Sequence, residues 1–165
     1  MGTKRVGLAR TEALLENLKR EIVLGVGSSL AGGRRKVETV TNSAGAIALV
    51  LTEAAYPSNT LFALDIDSAT NDVAITLPAV TAGLEYTFHV QTTAGTNVGL
   101  TLSGPGAVVQ GVIVCDDGTA DGTGTNMVFA DTKAIAGTRV HFLCDGVKWN
   151  VVAHCLCDLS EVAIS

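Results

Sequence analysis

From Lys36 to His154 the sequence repeats one pattern: a short run of Val, Ile, Leu, Thr or aromatic residues, then a cluster of turn-formers. The runs are Lys36–Thr41, Ala46–Leu51, Thr60–Ile66, Asp72–Leu77, Glu85–Gln91, Asn97–Leu102, Ala107–Cys115, Asn126–Ala130, Thr138–Cys144 and Lys148–His154. Between them stand Asn42-Ser43-Ala44-Gly45, Pro57-Ser58-Asn59, Gly104-Pro105-Gly106 and Asp145-Gly146. Segments this short, with no helix-length pattern between them, predict a mainly β domain: an antiparallel β-sandwich, jelly-roll-like or barrel fold. Two-residue alternation puts Tyr86, Phe88 and Val90 on one face and Thr87 and His89 on the other. It does the same for Val140, Phe142 and Cys144 against His141. Asp145-Gly146 predicts a tight hairpin that brings Phe142 near Trp149. One faint echo stands out: Ala82-Gly83 precedes Phe88 by the spacing at which Ala136-Gly137 precedes Phe142.

Residues 1–35 follow a different rule. Thr11 suits an N-cap, Glu12 and Glu16 fall in the early turns, and Leu14, Leu15, Leu18 and Ile22 recur at helical spacing. The spacing predicts a helix over 11–24. Gly25 and Gly27 end it, and the Gly/Ser-rich stretch from Gly27 to Gly33 serves as a tether. A helix of about 14 residues is marginal alone in water and needs a surface to dock on, its own domain or a partner. The expected organisation is thus a basic arm, 1–35, before a β domain, 36–165.

Charge divides the chain at the same place. Residues 1–36 carry eight basic groups and three acids, a net +5; residues 37–165 carry three basic groups and thirteen acids, a net −10. Nucleic acid is an unlikely partner for so acidic a body, and only the arm could reach phosphates. No apolar run approaches the ~20 residues of a membrane span, and no secretory signal is evident, so neither membrane nor export is expected.

Candidate chemistry is sparse. Cys115, Cys144, Cys155 and Cys157 are the four cysteines, and His154, Cys155 and Cys157 could be read as metal ligands. Cys155-Leu156-Cys157 lacks the two-residue spacer of a zinc knuckle, which favours small, reduced core thiols and no metal or other cofactor. The oxygen-rich run from Asp116 to Asn126 has Met127 where an EF-hand requires an acid, so a long hairpin loop is the expectation. Ser103-Gly104-Pro105-Gly106 is neither a nucleophile elbow nor a phosphate loop, His89 has no nucleophile beside it, and Asp65 and Asp67 at i,i+2 are an ordinary solvated pair. No catalytic residue is assigned; the chain reads as a non-enzyme.

The opening Met1-Gly2-Thr3-Lys4-Arg5-Val6-Gly7-Leu8-Ala9-Arg10-Thr11 and Leu14-Leu15-Glu16-Asn17-Leu18-Lys19-Arg20-Glu21 resemble the start of virion structural proteins of marine tailed bacteriophages. The body, with Ile75-Thr76-Leu77-Pro78-Ala79, Ala82 to Val90 and Cys144 to Val151, is similar to β domains of such proteins. The resemblance implies a capsid decoration (cement) protein. It would be assembled in the host cytoplasm as a homo-oligomer, a trimer, on the virion surface, with the major capsid protein as partner. The arm contacts expected are Lys4, Arg5, Leu14, Leu15, Leu18, Arg20 and Ile22. The alternative is a head- or tail-fibre module binding host-surface glycan through the 116–126 loop, although exposed aromatics suited to sugars are few.

Overall fold

The computed structural model describes residues 35–165 apart from Ala69 and Ala107. The predicted helix over 11–24 and all seven arm contacts, Lys4, Arg5, Leu14, Leu15, Leu18, Arg20 and Ile22, lie outside the described residues. The chain divides between Arg35 and Lys36, and every described element belongs to the second unit.

The described residues form twelve strands in two sheets that pack as a sandwich. They are β1 (Val37–Thr41), β2 (Ile47–Val50), β3 (Thr60–Asp65), β4 (Val73–Thr76), β5 (Glu85–Thr92), β6 (Leu100–Ser103), β7 (Val109–Cys115), β8 (Gly118–Gly124), β9 (Asn126–Phe129), β10 (Arg139–Cys144), β11 (Trp149–His154) and β12 (Val162–Ile164). The seven-stranded sheet runs β1-β3-β5-β10-β11-β7-β8 and the five-stranded sheet β12-β9-β6-β4-β2. All ten predicted runs are strands. The expectation of antiparallel neighbours holds for only half the pairings: β1–β3, β3–β5, β2–β4, β4–β6 and β7–β11 are parallel.

Parallel pairing follows from where the turns send the chain. From β1 to β6 each turn crosses to the other sheet, so odd strands build one sheet and even strands the other. A strand meets its neighbour only after a full coil, running in the same direction. The pairings Val37 to Leu61, Ile47 to Val73 and Val73 to Leu100 set that coil at 24, 26 and 27 residues. Like residues therefore stack on like: Phe62 pairs with Phe88, with ring centroids 5.1 Å apart, and Leu49, Ile75 and Leu102 form one ladder. Between coils, buried Asn42 donates to the Asn71 carbonyl (2.7 Å) and accepts from the Ser68 amide (3.2 Å), while Asn71 donates back to the Asn42 carbonyl (2.9 Å). These bonds satisfy polar groups that burial would otherwise strand.

The second half introduces two hairpins, β7–β8 and β10–β11, between crossings from sheet to sheet. β10 pairs antiparallel with both β5 and β11. Asp145 caps the β10–β11 turn by accepting from the Val147 and Lys148 amides, and Gly146 takes φ +95°. As expected, Phe142 then meets Trp149 edge-on at 6.4 Å. The Ala-Gly echo also has a structural basis. Gly83 (φ +87°) enters β5 and donates to the Cys144 carbonyl; Gly137 (φ +99°) enters β10 and donates to the Val90 carbonyl. The two motifs are the two ends of one pseudo-symmetric antiparallel pair.

Candidate functional site

The two lateral sides of the sandwich differ. On one side β8 and β12 come together: the Ser165 carbonyl accepts from the Thr125 and Asn126 amides (2.8 and 2.9 Å), and the Ser165 amide donates to Asn126. That side is sealed. On the other, β1 and β2 are the last strands of their sheets. Between them lies an open cleft of about 360 Å³. Val40, Ile47, Leu49 and Tyr56 line it, with Glu38 at its rim.

Exposure along one ladder measures what that side lacks. Ile47, Val73 and Leu100 occupy equivalent places in successive coils; Val73 and Leu100 are buried, whereas Ile47 is only half-buried. Leu49 stands in the same relation to Ile75 and Leu102. The first coil thus has the interior residues of a coil with a neighbour on each side, but a neighbour on one side only among the described residues. Val37 and Val50 add apolar surface at 57% and 64% exposure. Lys36 tempers the edge: it pairs with Glu38 (3.4 Å), donates to the Ala55 carbonyl and lies 5.0 Å from the Tyr56 ring centre. Charged residues on an edge strand discourage indiscriminate pairing and leave room for a selected partner.

A second surface is the outer face of the large sheet. Cross-strand register aligns His89, Arg139 and His154, and beside them His141 and Val152. All three histidines of the chain, Arg139 and the exposed Val112, Leu143 and Val152 therefore share this face of an otherwise acidic body. Thr87 Oγ1 and His141 Nδ1 are 3.2 Å apart and hydrogen-bonded.

The third feature is internal. Parallel pairing sets His154 beside Val114, so Cys155, whose amide donates to the Val114 carbonyl (2.8 Å), follows alongside Cys115. The next turn brings Cys157 to the same place. The Sγ atoms of Cys115, Cys155 and Cys157 all lie within 4.8 Å of one another, and all three residues are buried. Burial and the neighbouring sulfurs raise the Cys155 thiol well above its usual range and push Cys157 up to about 11; burial also raises Cys115. Sequence adjacency alone would group His154 with Cys155 and Cys157, a set the spacing disfavours; the strand register turns His154 to the outer face and brings Cys115 to the two cysteines instead. Cys144 stands apart, its sulfur accepting from the Gly146 amide.

The remaining candidates stay dispersed. Asp65 accepts from the Thr92 hydroxyl (2.8 Å), and Asp67 lies exposed beyond the strand. The stretch 116–126 is not the expected loop: Asp116 and Asp117 form the turn, and Gly118–Gly124 is strand β8, paired along its length with β7. This removes the flexible surface on which a glycan or cation reading would rest. Among the described residues, the cysteine trio is the one group of three or more potential metal-ligating side chains this close together.

Comparison with protein families, curated proteins and solved structures returns no match to this chain.

Proposed function

We propose that this chain is a non-enzymatic structural protein that holds other proteins together, as a decoration protein on the outside of a tailed-phage head does. The observation that carries the reading is the unfinished first coil. Ile47 and Leu49 are built as core residues yet left half-covered beside two strand edges, an arrangement suited to an extended segment of a partner protein. Both are already half-covered, so completing that burial would contribute about 1 kcal/mol per side chain, before the cost of ordering the partner.

Charge supports the same reading. The basic arm and acidic body favour different partners, so one copy can bridge two surfaces. Several copies in one oligomer, a trimer in the decoration-protein reading, would bind by avidity with each contact modest. The partner is then the major shell protein, and the site is the capsid exterior.

The test uses phage heads stripped of this protein. Full-length protein is expected to rebind, and a variant lacking residues 1–24 to bind at least about tenfold more weakly. Leu49→Lys, aimed at the open cleft, is expected to weaken binding while leaving the circular dichroism spectrum unchanged. Undiminished binding by both variants would overturn the reading. Light scattering of the free protein is expected to give three times the 16.9 kDa chain mass.

A further inference from the structure

We infer that Cys115, Cys155 and Cys157 form a binding site for a soft d10 metal ion, Zn2+ foremost. The inference goes beyond the protein-binding reading and is independent of it.

Four-coordinate zinc, with Zn–S bonds of about 2.3 Å, sets its sulfur ligands about 3.8 Å apart. Three Sγ atoms already mutually within 4.8 Å need move by only about 1 Å to meet that geometry. The backbone holds them ready. Cys115 ends β7, Cys155 follows β11 in the parallel pair, and the turn after Cys157 is tied to the turn after Cys115 by the Leu159 amide, which donates to Asp117 Oδ1 (3.0 Å). A capping box at Asp158 and Glu161, with Lys133 paired to Glu161, fixes the same turn from the other side. Two interlocked turns, one giving a single cysteine and the other two, make a preorganised three-sulfur site.

Charge selects the class of ion. Thiolates favour soft cations over Mg2+ or Ca2+. Three thiolates around Zn2+ leave one net negative charge, whereas around Cu+ they leave two, in a place already flanked by Asp116, Asp117 and Glu161. The dication leaves less charge uncompensated. No further cysteine, histidine or carboxylate joins the trio among the described residues, so the fourth position of the ion falls to water or an outside ligand. Cys115 is the most exposed of the three, at 8%, and marks the way in. Each thiol must give up its proton to the solvent as the ion binds, so affinity falls as pH falls.

The experiment titrates Co2+ into the reduced, metal-free full-length protein. Intense near-ultraviolet thiolate-to-cobalt absorption is expected, saturating at one ion per chain and bleached by one equivalent of Zn2+. Cys157→Ser is expected to weaken binding at least tenfold, and Cys144→Ser, outside the trio, to leave it unchanged. Zn2+ is expected to raise the melting temperature of the native chain but not of Cys157→Ser. Absence of the cobalt–thiolate band from the native protein would overturn the proposal whatever the variants do. So would a mass two hydrogens lower, with a disulfide mapped within the trio.

Discussion

The two halves of this sandwich reach the same layered architecture by different routes. Strands β1 to β6 coil, each turn crossing between sheets, and stack in parallel with a 24- to 27-residue advance. Strands β7 to β12 include two hairpins, β7–β8 and β10–β11, and close the far side, where Ser165 ties to Thr125 and Asn126. A hairpin pairs a strand with its immediate successor. A coil leaves its first strands waiting for a neighbour, and so, among the described residues, the open edge lies at β1 and β2 and not at β8 and β12.

The largest test of this contrast is Phe62→Ala. Phe62 is fully buried against Phe88, Tyr56 and Tyr86 in the stacked half, and its loss is expected to cost about 3–5 kcal/mol by denaturant unfolding. Next is Gly124→Ala at the sealed side, where the added carbon would fall 2.3 Å from the Ser165 backbone; a loss of about 1–3 kcal/mol is expected. Thr39→Ala, exposed on β1 at the open side, should stay within about 0.5 kcal/mol. If Gly124→Ala proves as silent as Thr39→Ala, the two sides do not differ as described. Asn42→Ala, which removes the amide linking successive coils, is expected to cost about 1–3 kcal/mol by the same measurement.

The smallest effect is a pH dependence at the turns of the hairpin half. The Val147 and Lys148 amides hold the Asp145 carboxyl below its ordinary value, and Lys133 does the same for Glu161. A depressed carboxyl stabilises the fold above its unfolded pKa, and that contribution is lost as pH falls through the folded value. Melting temperature should therefore decline on acidification below about pH 4, and less steeply in Asp145→Asn.

The strands were legible because most expose one face and bury the other; Tyr86-Phe88-Val90 and Val140-Phe142-Cys144 declare themselves by alternation. Their parallel pairing was not, since Gly and Asn announce that a chain turns but not whether it turns within a sheet or across to another. The 26-residue return of apolar pairs, Leu49 to Ile75, was the available signal. Strand β8 escaped because Gly118–Gly124 contains one alanine and no larger apolar residue. Its glycines at 122 and 124 make room for Ile164 and Ser165, which sequence proximity does not reveal. The cysteine trio was hidden for a related reason: Cys115 stands forty positions before Cys155, and only the register of β7 against β11 brings them side by side.

Because each coil contributes one strand to both sheets, the body has a natural unit of growth. Duplicating a coil would lengthen it by about 4.8 Å and leave the hairpin cap and the leading edge unaltered. A protein that spans a gap between neighbours would then have a ruler with evenly spaced marks, adjustable by whole segments of sequence and without redesign of either end.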